Sequence, residues 1–328
     1  MKPLFFVPKV IEIGPLHITL YAICILIGAI SAYKLSQYFL KKRGYDPEAI
    51  ENLFYVAFPS GIVGARIWYV IANFSKEFAG REWWKVFAIW EGGLAIQGGV
   101  IGGVIVGVIF MIKRRPNIPV LLATDCIVPT ILVAQSIGRW GNFFNQEVYG
   151  GCVERWRFLP SFITDRLTIA LNFAGNGWNT TGNGNPIYLC GDADHMVLPL
   201  FLIEGALNLV GFLLISFAVP ALFRYISKKT KGKFSLADGD LMCAYLIWYG
   251  VLRALLEPLR NNDYIMGNYT SVYMSIAFVV VGVIGVVLCH LYRNKWQKKI
   301  LKTNVIPGSE AEKEAVDISQ LENDENED

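Results

Sequence analysis

Residues 120–151 read VLLATDCIVPTILVAQSIGRWGNFFNQEVYGG. The first half is apolar enough to enter a bilayer, and the second gathers Arg139, Asn142, Asn145, Gln146 and Glu147 at its end. A helix needs about 20 mostly apolar residues to cross a hydrocarbon core. Ionisable groups in or beside such a segment are costly and mark functional sites by default. This run therefore reads as a membrane span that ends in a polar, glycine-punctuated loop.

The rest of the chain supports a membrane setting. Of 328 residues, 54% are hydrophobic and 17% charged, whereas soluble domains carry about 25% charged residues. The expected fold is all-α and polytopic, with seven spans near 16–40, 49–73, 92–112, 118–138, 197–222, 239–258 and 270–292. The apolar start runs to about Leu40, longer than a cleavable signal, so it reads as a retained span. Glycines four apart in GGVIGGVIVG, residues 98–107, suit close approach of helix backbones.

Basic residues orient the spans. Lys41-Lys42-Arg43, Lys113-Arg114-Arg115, Arg224 with Lys228, Lys229, Lys231 and Lys233, and Arg293 with Lys295, Lys298 and Lys299 fall on one side if the spans alternate. The positive-inside rule then puts the N-terminus outside and the C-terminus in the cytoplasm. With a formal charge of +3 and no single basic patch, nucleic acid is not an expected partner. The expected domains are a membrane unit over 1–300, carrying an external loop-rich insert at about 142–196, and an acidic disordered tail over 301–328. The six cysteines form no C-x-x-C pair and the three histidines lie far apart, so no metal site is legible and no cofactor is expected. Cys152 and Cys190 both fall in the external insert, which permits a disulfide without establishing one.

A second polar run, WYGVLRALLEPLRNND at 248–263, places Arg253 and Glu257 at i and i+4, with Arg260 three further. Taken alone, Arg253 and Glu257 read equally well as an intrahelical pair. At the same expected membrane level as Arg139, the two arginine runs suggest an anion clamp, because guanidinium matches phosphate bidentately. Arg66, Gln97, Asp125 and Glu204 also interrupt apolar runs. Arg66 and Glu204 read as candidate inter-helix partners, Asp125 as an N-cap or interfacial residue near the cytoplasmic face, and Tyr21 as an interfacial aromatic.

The run GRWGNFFNQEVYG resembles the signature of the prolipoprotein diacylglyceryl transferase family, G-R-x-G-N-F-x-N-x-E-x-x-G. Gly138, Arg139, Gly141, Asn142, Phe143, Asn145, Glu147 and Gly150 meet its fixed positions. The resemblance covers about residues 10–295 and includes the Y-G-x-x-R-x-x-x-E-x-x-R run from Tyr249 to Arg260. It implies transfer of the diacylglyceryl group of phosphatidylglycerol to the lipobox cysteine of a prolipoprotein signal peptide, with release of glycerol phosphate, in a bacterial cell membrane. Phosphatidylglycerol, the prolipoprotein and membrane lipids are then the expected partners. Carried over by motif, Arg139 and Arg253 would be the essential arginines, with Glu147 orienting one of them or taking the thiol proton. Asn142, Asn145 and Gly141 would order the site, Glu257 and Arg260 match the second motif, and Tyr21, Arg66, Gln97 and Glu204 fall at family positions.

Two departures stand out. Many members have a histidine where this chain has Gln97, and glutamine cannot act as a general base. The common H-P-x-x-L-Y-E run is here LPLFLIE, with Leu198 and Ile203 at the His and Tyr positions. These departures leave room for a lipid-binding pseudoenzyme of the same fold. A transporter is the rival from another class, but it would favour repeated halves around a midplane site.

Overall fold

The structure is a computed structural model. It describes residues 7–13, 16–80, 82–89, 92–114, 118–172, 177–181, 185–230, 235–261 and 270–291. The acidic tail at 301–328, the Arg293 to Lys299 cluster, Arg115, Lys231 and Lys233 lie outside those residues.

Among the described residues, seven helical stretches are long and apolar enough to cross a membrane. The chain opens with a hairpin, β1 (Val10–Ile13) pairing antiparallel with β2 (Leu16–Thr19), before α1 (Leu20–Lys42). The first span thus begins later than expected. The β-branched residues Val10, Ile11, Ile18 and Thr19 suit a strand, and the Thr19 hydroxyl accepts a hydrogen bond from the Ala22 N–H at 3.2 Å, capping the helix start.

Next come α2 (Glu48–Asn73), prolonged by a π-helical turn to Phe78, and α3 (Ile96–Arg114). The third span starts at Ile96 rather than 92 because Gly92 and Gly93 have φ values of +89° and +69°, which no right-handed helix accommodates. α4 (Val120–Ile127), a 3-10 turn and α5 (Ile131–Asn145) make one continuous span from Val120 to Asn145. The external segment holds β3 (Cys152–Glu154), α6 (Ser161–Thr168) and β4 (His195–Val197), with β3 and β4 antiparallel. α7 (Leu200–Leu213), a π-helical turn over Leu214–Ala218 and α8 (Val219–Lys229) form the fifth span. α9 (Asp240–Leu256) and α10 (Thr270–Leu291) complete the set.

The described residues divide into two compact units, 7–32 with 127–291 and 33–126. In the second, α2 and α3 pack through glycines: a Cβ on Gly98 would stand 2.3 Å from the Gly64 carbonyl oxygen. This is the close backbone approach that the glycine spacing predicts. In the first, α5 packs on α7, α7 on α9 and α9 on α10. The external segment has its own core of Ile163, Leu167, Met196 and Val197, joined by Phe143 from α5 and Phe201 from α7. A disulfide joins Cys152 to Cys190, with Cα atoms 5.8 Å apart.

Candidate functional site

The signature run is helical as far as Asn145, where a loop was expected. α5 continues to Asn145, and the external segment starts only at Gln146, four residues later than expected. Glycine and asparagine are poor helix formers, so the last turn depends on caps from elsewhere in the chain. Arg166 of α6 supplies them. Its Nε donates to the Phe143 carbonyl at 3.0 Å and its Nη2 to the Phe144 carbonyl, while Nη1 donates to the Val7 carbonyl at 2.5 Å. Phe143 and Phe144 lie in the last turn of α5, where carbonyls lack the usual i+4 amide donors. Arg166 is only 2% exposed; burial pushes its pKa down to about 10, which still leaves it protonated at neutral pH.

Gln146 then reverses the chain with φ +56°. Its side-chain amide donates to the Arg166 and Ile169 carbonyls, both at 2.6 Å, and accepts from the Leu171 N–H at 2.8 Å. Val148 has the same positive φ, a conformation that is strained for a β-branched residue. Glu147 is held between these two left-handed residues.

The helical geometry puts Arg139 and Asn142 on one face, and Arg139 Nη1 donates to Asn142 Oδ1 at 3.3 Å. The Asn142 and Asn145 amides both donate to Glu147 Oε1 at 3.2 Å. Asn142, Asn145 and Glu147 thus form a closed set at the end of α5. Gly141 faces Tyr21 of α1, where a Cβ would stand 2.5 Å from the ring. Tyr21 is thereby a packing neighbour of the signature helix as well as a residue near the end of its span.

Glu204, in the second turn of α7, is the centre of the site. Its Oε2 pairs with Arg139 Nε, and its Oε1 lies 2.9 Å from Arg260 Nη2 and 3.7 Å from Arg253 Nη1. Glu257 Oε2 takes Arg253 Nη2 at 3.2 Å and Arg260 Nε at 3.5 Å. The intrahelical Arg253–Glu257 pair is real, yet it is one edge of a larger network. Three guanidiniums share two buried carboxylates, an excess of one positive charge before Glu147 is counted.

Exposure separates the arginines. The Arg260 side chain is 5% exposed and braced by both carboxylates, whereas Arg139 and Arg253 retain 20% and 16%. Arg139 and Arg253 are thus the more open of the three, and Arg260 is enclosed between the two carboxylates. The two motifs are also joined through the backbone. Gly150 bridges Arg260, and the Asn261 N–H donates to the Tyr149 carbonyl at 3.0 Å. A Cβ on Gly150 would stand 2.6 Å from the Leu259 carbonyl oxygen, so only glycine lets the strands meet there.

The remaining candidates lie in the second unit. Arg66 is buried and bonds four backbone carbonyls: Lys85 at 2.6 Å, Val86 at 2.8 Å, Gly92 at 2.7 Å and Gly93 at 3.0 Å. It staples the connection between α2 and α3. The expected pairing of Arg66 with Glu204 gives way to separate partners: these carbonyls for Arg66, and the arginine network for Glu204. Gln97 is exposed in the first turn of α3, and Asp125 is buried in α4. Sequence reasoning missed Gln146 and Arg166 as organisers of the site. Their only signal was polar character beside an otherwise apolar insert core.

Residues 8–288 match the family model described as prolipoprotein diacylglyceryl transferase. A relative from Streptococcus pneumoniae (strain ATCC 700669 / Spain 23F-1), named phosphatidylglycerol-prolipoprotein diacylglyceryl transferase, is 36% identical over 289 residues, 88% of this chain and 94% of its own length. One of the same name from Streptococcus pyogenes serotype M5 (strain Manfredo) is 36% identical over 281 residues, 85% and 94% of the two chains.

Proposed function

This chain belongs to the prolipoprotein diacylglyceryl transferase family, and on that premise we propose that the Arg139–Glu204–Arg253 network is where it transfers the diacylglyceryl group of phosphatidylglycerol to prolipoprotein. The observation that carries this reading is the shared carboxylate. Glu204 ties Arg139 and Arg253 to one carboxylate while leaving both guanidiniums partly exposed.

The chemistry is substitution at a glyceryl carbon. The cysteine sulfur forms a C–S bond, the C–O bond to phosphate breaks, and glycerol phosphate leaves with the bonding electron pair. Charge grows on the phosphate oxygens as that bond breaks, so fixed cations aimed there stabilise the transition state more than the ground state. Arg139 and Arg253 serve this purpose. A thiol has an ordinary pKa of about 8.5, and a cationic neighbourhood favours the reactive thiolate. Glu147, ordered by the Asn142 and Asn145 amides, orients the site or takes the thiol proton. Tyr21 and Gly141 keep the signature helix in register, while Arg66 fixes the connection between α2 and α3.

The acceptor is the lipobox cysteine of a prolipoprotein signal peptide. The basic clusters support an N-terminus outside and a C-terminus in the cytoplasm of the bacterial inner membrane. That topology brings the site to the outer face, where the lipid headgroup and an exported cysteine meet. Purified protein supplied with phosphatidylglycerol and a lipobox peptide tests the assignment. A thioether-linked diacylglyceryl peptide detected by mass spectrometry supports it, and lipid binding without that product favours the pseudoenzyme.

A further inference from the structure

One helical turn away from the arginine network, a second polar layer crosses the same helices. Gln135 lies four residues before Arg139 on α5, and Asn208 four residues after Glu204 on α7. Trp248 lies five residues before Arg253 on α9, and Tyr245 one turn further. At a rise of 1.5 Å per residue, these steps are about 6–8 Å, with Tyr245 about 12 Å from Arg253. Because α7 runs opposite to α5 and α9, all four steps lead the same way, from the charged network into the apolar part of the spans.

The layer holds hydrogen-bonding groups in an apolar surround, where an unmade bond is expensive. Gln135 Nε2 donates to the Tyr245 hydroxyl at 3.0 Å. Trp248 Nε1, Gln135 Oε1 and Asn208 Oδ1 are buried atoms without a hydrogen-bond partner among the described residues. Asn208 and Tyr245 are 2% and 8% exposed. Whichever way the Gln135 amide lies, the Gln135–Tyr245 pair keeps a spare N–H or O–H, and Trp248 offers a second donor. Gly211 admits the indole: a Cβ there would stand 2.3 Å from Trp248 Nε1.

Beyond this layer the lining changes character. Trp248 also borders an apolar groove of about 590 Å³, formed with Leu214, Ile215, Ala218 and Ala244. The π-helical turn over Leu214–Ala218 supplies part of its wall. Cations, then two hydrogen-bond donors, then an apolar channel is the order in which a diacyl glycerophospholipid presents phosphate, ester carbonyls and chains.

We infer that Trp248 and the Gln135–Tyr245 pair, with Asn208 beside them, form a subsite for the ester carbonyls of the lipid substrate, and that the adjoining groove takes an acyl chain. This inference rests on the reading that phosphate binds at Arg139 and Arg253. Two donors answer two ester carbonyls, and they fix the glyceryl carbon relative to the phosphate clamp. Such positioning is where a pre-organised site gains rate.

The test compares diacyl phosphatidylglycerol with its dialkyl ether analogue, which has the same phosphate and reacting carbon but lacks both carbonyls. Wild-type protein is expected to show kcat/KM about tenfold lower on the ether lipid, carried mainly by KM, as befits the loss of one or two hydrogen bonds. Trp248→Phe and Tyr245→Phe should each lose several-fold on the diacyl lipid and nothing further on the ether lipid. Equal wild-type rates on the two lipids would overturn the subsite, and so would variant losses that persist on the ether lipid, since the layer would then only hold water or support packing. The wild-type comparison requires no variant to fold. Arg139→Ala separates the premise: normal activity there removes the phosphate reading, whereas its loss on both lipids leaves the ester comparison as the sole judge of the subsite.

Discussion

Replacing Glu204 with glutamine keeps the shape of the site and removes the charge that organises it. In the native network, Glu204 Oε2 pairs with Arg139 and Oε1 lies 2.9 Å from Arg260. Each charge-assisted bond contributes about 1.5–3 kcal/mol. A neutral amide keeps a weaker contact through its oxygen but presents N–H groups to the other guanidinium, so about half of the combined 3–6 kcal/mol is lost. The Glu204 side chain is 4% exposed, and salt screens buried pairs weakly. A loss of about 1.5–3 kcal/mol, expressed as misplacement of Arg139 and Arg253 at the transition state, corresponds to about a 10- to 150-fold fall in kcat/KM. The assay is the initial rate of transfer from phosphatidylglycerol to a labelled lipobox peptide, with thermal unfolding run in parallel. A Glu204→Gln protein that folds normally and works within twofold of wild type would refute the shared-carboxylate argument.

Three further substitutions probe other parts of the account. Gln97→Ala should keep turnover within about twofold in the same assay, because an exposed glutamine that cannot titrate supplies no base. Gly141→Ala should lower thermal stability by about 1–3 kcal/mol through a clash with the Tyr21 ring, and adding Tyr21→Ala should restore part of it. Arg166→Leu leaves the Phe143, Phe144 and Val7 carbonyls without their buried donor. It should cost about 3 kcal/mol or more in stability, and limited proteolysis should then cut between Gln146 and Leu171 faster than in wild type.

The seven spans and the two arginine runs were legible because hydropathy and motif spacing are local properties. The edges of the spans were not. Residues 16–19 are apolar enough for a helix but belong to a hairpin, and a short apolar run does not distinguish the two. The signature run looked like a loop because Gly138, Gly141, Asn142 and Asn145 are weak helix formers. Its final turn is held by Arg166, which follows Asn145 by more than 20 residues and acts through three dimensions. Glu204 was visible as a lone carboxylate in an apolar run, yet its role emerged only when α5, α9 and the turn after α9 brought three guanidiniums to it. The cysteine pair was left open by the sequence and is joined in the fold.

The central claim is that Arg139 and Arg253, positioned by Glu204, carry the charge of the departing phosphate. Its most direct test is the transfer rate of purified Arg139→Ala against wild type, read as thioether-linked product by mass spectrometry, with folding checked independently. Loss of one such charge stabiliser is worth about 100-fold or more in rate, so product should fall to background while the protein remains folded. A folded Arg139→Ala protein that forms product at near wild-type rate would contradict the account.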